Sequence, residues 1–313
     1  MLKTASIYRL IGALTQEVLS IELPEQVTEA TIVDPLKTQW STAGFAHPEC
    51  FGSSPIFVGH NEVVVFDIQV RERVLPGKVI AMAVKEQAAE DEHRQGYKPG
   101  RKQLAEIREA VTMRLLPTSH VKPTDVRCMI AGGYLFIGTG SARLVDTVLS
   151  VLRGTFPDVD LQFQMLARGR DTVNFMSDLL LMGSTESELF TCGDSVVLKS
   201  STKATARIRK MDLHAEVIKN HITNGMKPVE ISVQMEDSIL FTLTESMVIK
   251  SIKFADILIN QINEDAKDDP EALTFDATVA ISASTFLSLV NRLVEEIPTQ
   301  EEKDQSTNED DEL

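Results

Sequence analysis

The stretch EVVVFDIQVR, residues 62–71, followed at once by ERVLPGKVI, residues 72–80, decides the fold. The first segment is β-branched and alternating, which predicts a strand. Leu75-Pro76 breaks it, and proline suits the opening of a helix. Residues 79–95 and 101–116 both read as helices. Gln95-Gly96-Tyr97-Lys98-Pro99-Gly100 joins them with the glycine and proline of a turn. Two helices joined so briefly make an antiparallel hairpin. It ends at Leu115-Leu116-Pro117, and a polar turn is expected over Thr118–Pro123. Residues 125–131 and 134–138 then read as strands around Gly132-Gly133, a strong β-hairpin signal. The helical hairpin is thus flanked by strand segments on both sides.

Outward from this segment the same signals recur. Residues 5–14 read as a first strand, with helical and loop segments to about Pro48. Residues 141–152 form an amphipathic helix with Ser141 at the N-cap, and residues 175–182 are apolar and helical or buried. Strands are expected at 194–200 and 205–210, then a helix over 212–224 closed by Gly225. Residues 229–234, 239–244 and 247–254 alternate as an antiparallel meander. Residues 255–261 are expected as helix, 274–282 as strand and 284–297 as helix. The acidic tail, 299–313, is expected to be disordered. No internal repeat of fixed period is present.

Charge is distributed unevenly. The net charge is -15, but the last 52 residues hold 15 acidic and 3 basic side chains. Before Ile262 the chain is therefore nearly balanced, at -3, and it contains two basic stretches. Arg94 to Arg127 holds eight Lys/Arg against three acids, and Lys199 to Lys210 holds five with no acid. A local positive face is enough to bind phosphates whatever the total charge. With one Trp and three Tyr, stacking platforms for single strands are scarce. Met1 to Leu19 is too short and too interrupted for a signal or spanning helix, and no later run holds 18 uninterrupted apolar residues. A cytoplasmic chain with no membrane partner is expected. Cys50, Cys128 and Cys192 are widely spaced, as in a reducing compartment.

The bases of the helical hairpin, Arg94, Lys98, Arg101 and Lys102, with Arg108 and Arg114 beyond, fit a phosphate-touching arm. On the residues alone they fit a solvated helix pair better, since Glu86, Glu90, Asp91, Glu92, Glu106 and Glu109 lie among them. Lys199, Lys203, Arg207, Arg209 and Lys210 stand together without acids, and Arg207 and Arg209 share one face of a strand. Their counter-charge is either a nucleic acid or the protein's own acidic surface. The acids Glu264, Asp265, Asp268, Asp269 and Glu271 suggest a metal site less readily than a solvated surface, because a Mg²⁺ site needs carboxylates on rigid elements. His214 and His221 are too far apart for a zinc helix. Gly138-Thr139-Gly140 lacks the third glycine and the lysine of a phosphate loop. No catalytic set and no cofactor motif emerges.

The order of motifs resembles the RdgC family of recombination-associated, nucleoid and phage-linked DNA-binding proteins. The resemblance runs through Tyr8-Arg9-Leu10, Gly44-Phe45-Ala46-His47-Pro48, Val74-Leu75-Pro76 with Val79-Ile80, and Leu115-Leu116-Pro117. It is densest at Arg207-Ile208-Arg209-Lys210-Met211-Asp212-Leu213, Ile218-Lys219-Asn220-His221-Ile222 and Gly225-Met226. Residues 249–254 (IKSIKF) and Phe275-Asp276-Ala277 follow in order. Met211, His120 and Pro123 depart from the family's pattern, as does the Tyr97-Lys98-Pro99-Gly100 bend.

The resemblance implies a multi-domain α+β horseshoe monomer, with antiparallel sheets and a protruding helical hairpin, that closes into a ring-shaped homodimer around duplex DNA, without sequence preference. Family members restrain a RecA-type recombinase. On this chain the expectation is a central α+β unit from 1–75 and 124–172, a hairpin and tip from 76–123, a base from 173–298, and the tail 299–313. Arg94, Lys98, Arg101, Lys102, Lys203, Arg207, Arg209 and Lys210 would contact DNA. Thr118, Ser119, His120 and Lys122 would make the dimer tip contact. No enzymatic activity, metal or cofactor is expected, and the location is the cytoplasmic nucleoid. The rival readings are an acidic protein-interaction regulator that never touches DNA, and a metal-dependent phosphoesterase built on Glu264, Asp265, Asp268 or Asp269.

Overall fold

The computed structural model describes residues 2–11, 27, 30–48, 51, 56–59, 63–157, 161–166, 169–185, 187–236, 238–254 and 271–297. The expected helix at 255–261, the tail at 299–313 and the acids Glu264, Asp265, Asp268 and Asp269 lie outside them.

The described residues form an α+β fold with a mostly antiparallel open sheet and six helices. The strands are β1 (Thr4–Ile11), β2 (Ser41–Phe45), β3 (Ile56–Val58), β4 (Val64–Val74), β5 (His120–Ala131), β6 (Tyr134–Ile137), β7 (Gln162–Met165), β8 (Phe190–Lys199), β9 (Thr205–Arg209), β10 (Lys227–Met235), β11 (Ile239–Thr244) and β12 (Ile249–Phe254). The helices are α1 (Gly77–Gln95), α2 (Arg101–Leu115), α3 (Ala142–Thr155), α4 (Arg170–Met182), α5 (Glu216–Thr223) and α6 (Glu271–Glu296). Strand order is β2-β4-β5-β6-β1-β12-β11-β10-β8-β9, with β3 beside β4 and β7 beside β1. β1 joins the two halves: Thr4 and Ala5 pair with β12, and Ser6 to Arg9 pair with β6.

The period of two sorts each central strand between two cores. Phe66, Ile68, Cys128, Ile130, Leu135 and Ile137 point toward Val145, Val148, Leu149 and Leu152 of α3. The alternate residues Val65, Met129, Phe136, Ala5 and Ile7 join a second core with Phe286, Leu289 and Val290 of α6. That second core continues under β8, β10, β11 and β12, so residues from the expected central and base segments share it.

Helix α6 corrects the expectation of a strand at 274–282. The β-branched composition of that segment misleads, because its apolar residues also fall at helical spacing. Val279, Ala283, Phe286, Val290, Leu293 and Ile297 are all buried on one side. Phe275 packs edge-on against Phe57 at 4.8 Å, Phe286 lies 5.3 Å from Phe136, and Glu296 accepts a hydrogen bond from Ser187. The span Phe275–Glu296 has a mean hydropathy of 1.4 and could cross a membrane by length and composition alone. In this fold the same apolar side chains fill the core.

The helical hairpin forms as the sequence indicates. Gly96 closes α1 in the left-handed region at φ 80° and donates to Glu92. Gln103 accepts the Gly100 N–H at 2.9 Å where α2 begins. Ile80 is the buried residue of α1, and Ile107 and Val111 are those of α2, so most of the hairpin's surface is exposed.

At its root the turn expected at Thr118–Pro123 is instead the end of a short 3₁₀ turn, Leu116–Thr118, and the start of β5. His120 pairs with Val74 and Pro123 with Arg71. Proline is tolerated there because β6 covers β5 only from Cys128 onward, leaving this part an edge. Arg73 clamps the root by donating to the carbonyls of Leu116, Pro117, Ser119 and Pro35 at 3.0–3.3 Å.

Two smaller expectations also change. β2 forms at Ser41–Phe45, where helix or loop is expected. Ser141 sits at the N-cap of α3 without a capping side-chain bond.

Candidate nucleic-acid interface

One face of β8–β12 packs on the second core, and the other carries a groove of about 340 Å³. Antiparallel sheets commonly leave one face solvated, and polar residues then alternate with core residues. In β9, Ala206 and Ile208 turn to the core while Arg207 and Arg209 are exposed on the opposite face. The pair stands beside Val197 and Ser195 of β8.

Two irregularities shape this groove. Between Ile231 and Val233 the β10–β8 register shifts, so β8 carries extra residues around Gly193, Asp194 and Ser195. Gly193 passes so close to Ser232 that an added Cβ would run into its hydroxyl. The second irregularity lies in β12. Between the pairs Lys250–Thr242 and Lys253–Leu240, two residues of β12, Ser251 and Ile252, oppose the single Phe241 of β11, with Ser251 at φ 53° as the extra one. Such a bulge re-aims side chains. It turns both Ile249 and Ile252 into the core and sets both Lys250 and Lys253 in the groove.

The groove therefore collects four cations, Arg207, Arg209, Lys250 and Lys253, with two carboxylates, Asp194 and Glu230. Lys250 Nζ meets Glu230 Oε1 at 2.7 Å. Arg207, Arg209 and Lys253 make no ion pair among the described residues. Ser195, Ser232, Thr242 and Ser251 add hydroxyls around them. Such a lining can hold phosphate oxygens by charge and hydrogen bond, and its one aromatic, Phe241, is buried in the core and offers no face for a base.

Lys250 and Lys253 were missed by sequence reasoning. IKSIKF reads as simple alternation, which places residues 250 and 253 on opposite faces. The spacing of two apolar residues at Ile249 and Ile252 was the available sign of a bulge.

The other expected contact residues are placed as follows. Lys203 lies in the β8–β9 turn at φ 66°, and Lys210 follows β9 at φ 54°, both exposed. Arg94 is held by Asp91 at 2.7 Å, while Lys98, Arg101 and Lys102 are exposed around the hairpin bend. The hairpin springs from β4 and β5, whereas β9 is the opposite edge of the sheet, so the two basic sets are not one cluster. Thr118, Ser119, His120 and Lys122 lie at the root of the hairpin, at the end opposite its bend. The Thr118 and Ser119 hydroxyls donate to the carbonyls of Leu115 and Leu116, and Lys122 stands opposite Glu72.

Beside Ala46, His47 and Pro48, which follow β2, lies a larger cleft of about 720 Å³. Its charges are already satisfied: Arg127 by Asp67, Arg71 by Asp34, and Asp125 by Gln69. Among the described residues no group of three or more His, Cys, Asp and Glu is arranged to hold a metal.

Residues 1–300 match the family model described as "Putative exonuclease, RdgC". The chain is 31% identical over 262 residues to the recombination-associated protein RdgC of Cupriavidus pinatubonensis, covering 82% of this chain and 85% of that one. It is 30% identical over 278 residues to the protein of the same name from Dechloromonas aromatica, covering 87% and 89%. With that of Herminiimonas arsenicoxydans it shares 29% over 309 residues, covering 96% and 99%. A match of this length, in the order of the motifs along the whole sheet and its hairpin, shows that the chain belongs to the RdgC family of recombination-associated proteins.

Proposed function

We propose that this protein binds double-stranded DNA through its phosphates, without reading sequence, and thereby restrains a RecA-type recombinase. The observation that carries the reading is the sheet face, left open by the described residues, on which Arg207, Arg209, Lys250 and Lys253 converge. Phosphate contacts position a protein on a duplex but carry no sequence information. The exposed bases Arg94, Lys98, Arg101 and Lys102, with Lys203 and Lys210, extend the contact surface in this reading. A horseshoe monomer closing into a two-fold ring would let these separate basic sets act on one duplex, with Thr118, Ser119, His120 and Lys122 contributing to one of the closures. Each closure must then be self-complementary. The role is non-enzymatic, and the protein works in the cytoplasm on the nucleoid.

The test is fluorescence anisotropy with two unrelated duplexes of about 40 bp and one matching single strand, across a salt series. Equal, salt-sensitive binding to both duplexes supports the reading. Absence of binding at low salt overturns it and favours a regulator that acts through the acidic C-terminal region. The family model's description names an exonuclease. Mg²⁺- or Mn²⁺-dependent release of nucleotides, lost on changing Glu264, Asp265, Asp268 or Asp269, would replace the binding role with catalysis.

A further inference from the structure

We propose that Glu230 is a built-in counter-charge that occupies Lys250 and limits the groove's affinity for phosphate. The inference rests on the duplex-binding reading and names what tunes that site.

Glu230 and Lys250 are not strand neighbours. Glu230 lies on β10, opposite Thr244 of β11, and Lys250 lies on β12, opposite Thr242 of β11. The ion pair therefore reaches over the whole of β11 on the groove side, at 2.7 Å, with both side chains partly exposed at 40% and 35%. Three other cations line the groove, and none is paired among the described residues. Asp194, the second carboxylate, sits at the β8 distortion, and Ser232 and Thr242 add neutral hydroxyls to the lining.

A partly exposed pair of this kind is held weakly. A phosphate entering the groove competes with Glu230 for Lys250 and must also approach a carboxylate. Glu230 thus acts twice, by withholding one cation and by repelling the ligand. A protein that must slide along duplex DNA and leave it benefits from such a brake, because non-specific affinity rises steeply with every free cation.

The experiment compares Glu230→Gln with the unaltered protein in duplex anisotropy titrations. Glu236→Gln is the control for net charge, since Glu236 lies in the β10–β11 turn and does not line the groove. One released lysine should steepen the slope of log affinity against log salt by about 0.9, which at about 0.1 M salt is roughly an eightfold gain. Glu236→Gln should change affinity less than twofold. Adding Lys250→Gln to Glu230→Gln should abolish the gain in slope, and a thermal melt of each variant confirms folding.

The proposal fails if Glu230→Gln binds no more tightly than Glu236→Gln, or if its slope is unchanged. An Arg207→Ala/Arg209→Ala variant separates the two levels. If it loses affinity and slope while Glu230→Gln behaves as the control, only the counter-charge inference falls. If it binds as the unaltered protein does, the groove is not the DNA site and both fall.

Discussion

Arg127 and Asp67 face each other across the β4–β5 ladder and close a two-pronged ion pair, with both N–O distances at 2.8 Å. Asp67 is buried, and the guanidinium also lies 5.4 Å from the Phe51 ring centre. Arg127 ends the basic stretch that began at Arg94, yet its charge is consumed inside the protein. Changing it to Met should cost about 3 kcal/mol or more, because a buried carboxylate loses its partner. Pairing that change with Asp67→Leu should recover much of the loss, as urea unfolding of the three variants would show.

Gly193 should tolerate no side chain. Gly193→Ala forces a methyl against Ser232, in a place where β8 is already distorted around the groove. Overpacking of this sort costs about 1–3 kcal/mol. A drop in melting temperature should accompany weaker duplex binding, whereas Gly154→Ala, inside α3 with open space around it, should weaken neither.

Ser251 decides where two lysines point. At φ 53° a β-branched residue is strained by about 1–2 kcal/mol. Ser251→Val should therefore favour a regular strand and separate Lys250 from Lys253, lowering duplex affinity and the salt slope together. Ser251→Gly should keep the bulge and the binding. Equal binding by the two variants would show that the bulge does not matter to the site.

Arg207 and Arg209 are exposed and unpaired among the described residues, so alanine at both should change stability by no more than about 0.5 kcal/mol each. The same pair of changes should flatten the salt slope by about 1.8, twice the contribution of one phosphate contact. On an edge strand such charges also discourage pairing with another chain. Light scattering of the double variant tests that second role.

Burial, and then the charge of Asp212, push the Cys192 thiol up to about 12. Burial likewise raises Cys128, with Asp67 adding to the effect. A raised thiol pKa means that the folded state keeps a proton which the unfolded state releases. This contribution to stability is complete below the unfolded thiol value of about 8.5. It is lost as pH rises from there toward about 12. In a Cys50→Ser background, native protein at pH 8 should react negligibly with a thiol reagent and then take up two equivalents after denaturation.

Local signals were sufficient where the physics is local. The alternation of residues 62–71, the glycines at 96, 132 and 133, and the proline at 76 each constrain only their own neighbours, and the strands and hairpins appear where they indicate. At Thr274–Ser282 the local signal was ambiguous. A β-branched segment with apolar residues at both strand and helix spacing is settled by what it packs against, here Phe51 and Phe57 around Phe275. Pro123 looked like a turn because its edge position in β5 depends on where β6 stops.

The order of residues alone was enough for the protruding hairpin, the family with the α+β class that its resemblance implies, and the shared strand face of Arg207 and Arg209. These follow from periodicity and from the order of motifs along the chain. Only the tertiary structure decided which cations share a surface. A bulge at Ser251 brings Lys250 and Lys253 beside them, Glu230 reaches over β11 to hold one of the two, and Arg127 is spent on Asp67. Charge counts along a chain ignore these facts, because an ion pair forms by distance in space and a strand's facing changes with a single extra residue.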